Sequence, residues 1–329
     1  MPKALFVFTI ASPLIGALLI SATLSAQSAA PKLTMADIDS MMKELSNWGR
    51  WGKDDQKGTV NLITPAARKQ AAALVTEGAS VSLARNTDPN KAIDNSSPFV
   101  VKMSPPADGQ FNMDEQTVFF HGVAHTHFDA LSHVFHDGQM YNGFPESAVK
   151  PDGAGALAVT AYSEGLFTRG VLVDIARLRN VPYLDPTAVI YPADFDAWEK
   201  KTGVHIRSGD AVFVRTGRWA YRAANGPWDI GSHAAGLSAL CARWLKQRDV
   251  ALLGSDSSHD AAPSGIPGVS FPVHQLLIVA MGMPLFDQCD LEELAKAAAA
   301  RNRWTFLFTA APVRATGSTG GPVNPIATF

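Results

Sequence analysis

The chain has 329 residues, 28 Lys and Arg against 30 Asp and Glu, a formal net charge of −2 and 47% hydrophobic side chains. This composition excludes a disordered or fibrous chain, and the length fits one large α/β domain. A near-neutral balance with no cluster of Lys or Arg excludes a surface that tracks phosphates, so no nucleic-acid partner is expected.

From Ala4 to Leu24 no residue is charged; Lys3 precedes the run and Ser25, Ala26, Ser28 and Ala29 follow it. This is the pattern of a secretory signal peptide over residues 1–29, leaving a domain over 30–329. Pro13 and Gly16 favour cleavage over a spanning anchor, so the expected workplace is periplasmic or secreted, with no stable membrane insertion. The two cysteines, Cys241 and Cys289, do not make a disulfide scaffold; the spacing leaves open whether they pair.

Leu33, Ile38, Met41, Met42 and Leu45 recur at helical spacing, predicting a helix over 33–47 that Trp48-Gly49-Arg50-Trp51-Gly52 ends. Thr64-Pro65 predicts the start of a second helix, with Thr as cap and Pro in the first turn. Residues 86–115, rich in Asn, Asp, Pro and Ser, read as a long loop. Strand-like runs follow at 118–129, 170–174, 211–214, 250–254 and 304–311, with helical stretches at 192–201, 234–247, 272–280 and 291–301. Their interleaving predicts a single α/β domain with a mixed sheet. The glycine-rich tail from Gly317 to Pro322 lacks the Lys of a phosphate loop and reads as a tight surface turn.

Five of the nine histidines fall between residues 121 and 136, with Asp129 among them. On a strand, His121, His125, His127 and Asp129 share one face, while Phe120, Ala124, Thr126 and Phe128 share the other. Imidazoles and a carboxylate on one face are ligands for Zn²⁺, Mn²⁺ or Fe²⁺, and burying them without a cation is costly. His133, just beyond the strand, is placed to carry a proton. Asp256 and His259 follow another strand-like run, where turn chemistry accounts for them equally well. Trp48 and Trp51 are candidates for an aromatic substrate wall, with packing as the alternative.

Thr126, His127, Asp129 and His133 match the signature His-x-Gly-Thr-His-x-Asp-x-Pro-x-His, and the chain therefore resembles the cyclase family that includes bacterial kynurenine formamidases and isatin hydrolases. The family's first His falls on Val123, its Gly on His125 and its Pro on Leu131. The resemblance extends over residues 48–62, 168–174, 209–217, 253–256 and 317–327. It implies an α/β fold of the swivelling β/β/α type and one or two divalent ions, Zn or Mn. It also implies two downstream ligands, which fall on His274 and Asp287, the latter standing where the family usually has Glu. His125 is the expected replacement for the ligand lost at Val123, with His121 second.

The expected activity is hydrolysis of a C–N bond in a small amide, formamide or cyclic amide, with metal-activated water as nucleophile and His133 as proton shuttle. No G-x-S-x-G elbow suggests a covalent serine. The alternatives are an exported metal- or small-ligand-binding protein without turnover, and a lyase or lactonase on the same scaffold. The expected partner is a small-molecule substrate, and a homo-oligomer is compatible with the sequence.

Overall fold

The first helix, Met35–Glu44, begins where the sequence supplies a cap: the Thr34 hydroxyl accepts from Asp37 N at 3.3 Å and the Asp37 carboxylate accepts from Thr34 N at 2.8 Å. It buries Ile38 and Met41. The second, Pro65–Ala72, starts at Thr64, whose hydroxyl accepts from Ala67 N at 3.1 Å. The computed structural model describes residues 1–2, 32–105 and 109–329, and residues 33–329 form one unit. The expected leader, from residue 3 onward, lies outside the described residues.

A nine-stranded mixed sheet organises this unit. In spatial order its strands are Ser80–Ser82, Ile326–Thr328, Thr305–Ala310, Leu166–Asp174, Ala211–Arg215, Leu252–Ser255, Leu285–Asp287, His127–Asp129 and Gly320–Pro322. The four from Leu166–Asp174 to Leu285–Asp287 run parallel, and the strands on either side pair antiparallel. Ala211–Arg215 is buried throughout, as a central parallel strand covered on both faces must be. Helices Pro192–Thr202, Cys241–Gln247 and Glu292–Arg301 follow or connect these strands.

One row across the sheet sets the position of the site. Phe128 lies opposite Phe286, Phe286 beside Gly254, and Gly254 beside Phe213. The Phe128 and Phe286 rings are 5.1 Å apart, and Phe308 packs 5.5 Å from Phe286 and 5.0 Å from Phe213. A Cβ on Gly254 would come within 2.4 Å of the Phe213 ring, so the glycine leaves room for that ring. This aromatic layer anchors one face of the sheet, each buried ring contributing about 1.5–3 kcal/mol. His127, Asp129 and Asp287 are left on the opposite face.

Several expectations are corrected. Only His127–Asp129 of the run 118–129 is strand; residues 118–126 form an irregular connection, with Gly122 N donating to Phe120 O at 2.7 Å. The expected loop 86–115 instead carries Val100–Ser104, paired antiparallel with Met113–Thr117 at and just beyond its end. All ten residues of this pair are exposed, so no face alternates in polarity and periodicity could not reveal it. The helix expected over 234–247 is confined to Cys241–Gln247, because Gly236–Leu237 pairs with Val189–Ile190. The segment 272–280 begins as the short helix Pro272–His274 and continues as a π-helix, Gln275–Met281, ended by Gly282 in a left-handed conformation. The glycine-rich tail is not a surface turn: Gly320–Pro322 is a sheet strand. Cys241 and Cys289 are buried free thiols. Among the described residues no helix is long and apolar enough to cross a membrane.

Candidate metal centre

Antiparallel register brings three of the acidic and imidazole groups together. Asp287 lies directly opposite His127, and Asp129 is flanked by Leu285 on one side and Gly320 on the other. The His127 imidazole Nε2 is 3.5 Å from Asp129 Oδ1, while its Nδ1 is 2.8 Å from the His125 carbonyl, which fixes the proton on Nδ1 and turns Nε2 inward. Gly320 permits this crowding: a Cβ there would lie 2.1 Å from Phe128 O and 3.2 Å from the His121 ring.

The remaining groups arrive from connections and one helix. His121 reaches in from the loop before the strand, its Nδ1 2.9 Å from Asp129 Oδ1 and its Nε2 2.9 Å from the Thr319 hydroxyl. His133 comes from the turn after the strand and stacks parallel on His121 at 3.8 Å, with Nε2 4.0 Å from Asp129 Oδ2. His274, at the start of the π-helical segment, places Nε2 3.9 Å from Asp129 Oδ2 and 3.6 Å from Asp287 Oδ2. These groups line a cavity of about 280 Å³ with Val123, Val134, Ser258 and Phe271.

Two adjacent residues support the downstream pair from behind. The Asp260 carboxylate accepts from Val273 N at 2.6 Å and lies 2.6 Å from His274 Nδ1, and His259 Nε2 is 3.0 Å from Asp287 Oδ1. His259 is buried with a positive φ of 54°, a backbone conformation uncommon outside glycine and worth holding only where the surroundings over-determine it.

The electrostatics follow from burial against charge. Burial pushes the Asp129 carboxyl up, but His127, His133 and His121 outweigh it and hold Asp129 below the usual carboxylate range. Asp287 is likewise held well below it by His259 and His274 against burial. Burial pulls His274 down, yet Asp260 and Asp287 overcome it and keep the imidazole well above its ordinary value. His133 falls to about 4, chiefly by burial, with Asp129 opposing and the neighbouring imidazoles adding to the drop.

The donor set fits a divalent ion. Both oxygens of Asp129 and Oδ1 of Asp287 are buried and make no aligned hydrogen bond, although His121 Nδ1 and His259 Nε2 lie 2.9 and 3.0 Å from them, an arrangement that a cation would satisfy. Two groupings have ligand atoms within 4.8 Å of one another: His121, Asp129 and His133, and His127, Asp129 and Asp287. Asp129 belongs to both.

Of the residues singled out from sequence, the structure gathers His127, Asp129, His133, His274 and Asp287 around one cavity. His125 is corrected: its Nε2 is 3.3 Å from the Ser97 carbonyl and its ring meets Phe99 edge-on, outside the cluster. Strand alternation cannot bring it inward because residue 125 is not in the strand, and His121 stands at Asp129 instead. Trp48 and Trp51 are also corrected as a substrate wall. The Trp48 indole donates to Val279 O at 2.8 Å, Trp51 lies under the Arg50 guanidinium at 4.8 Å, and neither lines the cavity. His136 pairs with Asp39 at 3.3 Å, away from the cluster. Asp256 acts as a structural acceptor for the backbone of Thr216 and Gly217 at 2.9 and 2.8 Å.

Sequence reading missed Asp260 and Thr319 and left His259 undecided. No signal in spacing could join residues 259 and 260 to 287 and 274, because the link is made by sheet register and helix placement.

Comparison with known proteins agrees with this architecture. Residues 80–260 match the model of the Cyclase family, described as "Putative cyclase". The solved structure of a novel cyclase is similar with a TM-score of 0.77 and 29% identity, over 86% of this chain and 99% of its own. Isatin hydrolase A from Labrenzia aggregata, bound to benzyl benzoate in its structure, shares the fold with a TM-score of 0.56 and 19% identity, over 78% of this chain and 94% of its own. Isatin hydrolase A from Ralstonia solanacearum gives a TM-score of 0.56 and 20% identity, over 80% and 97%. No curated protein matches the chain. The family match covers more than half of the chain and takes in the strand that carries His127 and Asp129, so this protein belongs to the cyclase family.

Proposed function

We propose that the protein hydrolyses a C–N bond in a small amide, formamide or cyclic amide, with a divalent ion held by His121, His127, Asp129, His274 and Asp287. The observation that carries this reading is Asp129: a fully buried carboxylate facing four imidazoles, the nearest 2.9 Å away, with neither oxygen in an aligned hydrogen bond. When bound, an ion such as Zn or Mn supplies a Lewis acid and a water acidified towards neutral pH.

The chain's own residues do the rest. Asp260 and His259 hold His274 and Asp287 in position, and Thr319 and the His125 carbonyl orient His121 and His127. His133 is the most accessible imidazole of the cluster, its side chain 29% exposed against 18% for His121. It takes the proton of the attacking water as the C–O bond forms and delivers it to the nitrogen as the C–N bond breaks. We place this activity outside the cytoplasm, on the strength of the leader expected in residues 1–29.

The test is elemental analysis of the purified protein beside N-formylanilide hydrolysis on the same samples. Wild type is expected to carry Zn or Mn and turn over; His127→Ala loses both; His133→Ala keeps metal and loses at least about a hundredfold in kcat. Full activity in His133→Ala removes the proton role. The close grouping of His121, Asp129 and His133 favours a second reading in which His133 ligates a second ion, and loss of metal in His133→Ala selects it. Bound metal without release of aniline points to a lyase, a lactonase or a binding protein on this scaffold.

A further inference from the structure

A second, larger cavity of about 740 Å³ adjoins the metal cavity and shares Val123, Ser258 and Phe271 with it as walls. Its floor is apolar, with Ile230, Ile266 and Val269 buried beneath it. Asp260 is its sole ionisable lining residue, and that carboxylate is already engaged by Val273 N, His274 N and His274 Nδ1. Nothing on this lining is left to balance a charge on a ligand.

The outer wall is a built turn. The Ser264 hydroxyl accepts from Ile266 N at 3.1 Å and donates to Val269 O, and Ile266 and Val269 bridge one another across the turn. Gly265 and Gly268 take the positive φ values of 74° and 79° that closing it requires. A wall braced this way is in place before a ligand arrives, which lowers the ordering cost of binding.

We propose that this groove takes an uncharged apolar arm of the substrate, so that the substrate class is a neutral amide whose reacting head fits the metal cavity and whose aryl or alkyl arm extends past Val123 and Phe271. The inference rests on the hydrolase reading of the adjoining site. The two cavities share Val123, Ser258 and Phe271 as walls, so a ligand in the metal cavity has the groove as its neighbouring space.

The test is calorimetric titration of the metal-loaded protein with acetanilides carrying 4-alkyl chains of increasing length, and with 4-carboxyacetanilide. Affinity is expected to rise about threefold to fourfold per methylene over the first carbons, as burial of apolar area requires, with the carboxylate binding more weakly than an uncharged arm of equal size. Ser270→Trp, at an exposed lining position, fills the groove and is expected to abolish the length dependence; Ile266→Asp is the second variant, with melting temperatures checking that both fold. Affinity that does not change with chain length, no binding by any member, or an undiminished gain in Ser270→Trp overturns the proposal. Turnover of the matching formanilides separates the two readings. Turnover with flat affinity keeps the hydrolase and removes the groove, whereas length-dependent affinity without turnover keeps the groove and removes the hydrolase.

Discussion

Asp260 Oδ2 lies 2.6 Å from His274 Nδ1, and the same carboxylate accepts from the backbone N–H groups of Val273 and His274. One acid therefore fixes the helix start, the ring orientation and the nitrogen that faces Asp129. Asp260→Asn keeps the shape but loses the charge that holds His274. A drop of about 10–100-fold in metal affinity is expected, measured by competition with a chromophoric chelator. Unchanged affinity would show that His274 needs no such support.

His121 and His125 make opposite predictions although four residues separate them. His121→Ala should strip metal, since the ring sits 2.9 Å from Asp129 Oδ1. His125→Ala should keep the metal stoichiometry and cost only about 1 kcal/mol of stability for the contact with Ser97. Elemental analysis of the two variants decides; metal loss in His125→Ala alone would reverse the assignment.

Chelation should destabilise the fold measurably. Without a cation, Asp129 and Asp287 keep buried oxygens that make no aligned hydrogen bond. Adding back Zn or Mn at a hundredfold excess over Kd should raise Tm by roughly 4 °C, read by differential scanning fluorimetry. A melting curve indifferent to chelator and metal alike would argue against occupation of this cluster.

Gly320 is expected to tolerate nothing larger. A Cβ there meets Phe128 O at 2.1 Å and presses on the His121 ring at 3.2 Å, so Gly320→Ala must part the two strands or displace the histidine. The cost is about 1–3 kcal/mol or more, with metal affinity falling alongside Tm. A folded variant with normal affinity would show that the strand pair has slack.

How much was legible in the sequence depended on where each signal lives. Caps and periodicity are local, so Ile38, Met41 and Leu45, the Thr64 cap and the apolar run 211–214 announce their elements. Clustering is also local: His127, Asp129 and His133 could be picked out as a site within a few residues of chain. The outward hairpin Val100–Ser104 and Met113–Thr117 was hidden because neither face is buried and neither strand alternates. Alternation misplaces His125 because the chain bends before the strand begins at His127, and the strand at Gly320 is hidden because its partner, Asp129, is distant in sequence.

Imidazoles and carboxylates concentrated around one short strand mark the candidate ligands, and a signature spread along the chain marks the family. Which of those groups meet is settled by the fold. Antiparallel register set Asp287 opposite His127, and Gly320 admitted His121 to the carboxylate. The chain between Ser255 and Pro272 brought Asp260 and His259 behind the downstream pair. The physical reason is that coordination and hydrogen bonding require atoms within a few ångströms. For residues far apart in the chain, that proximity is set by strand pairing and packing rather than by any spacing a linear sequence can display.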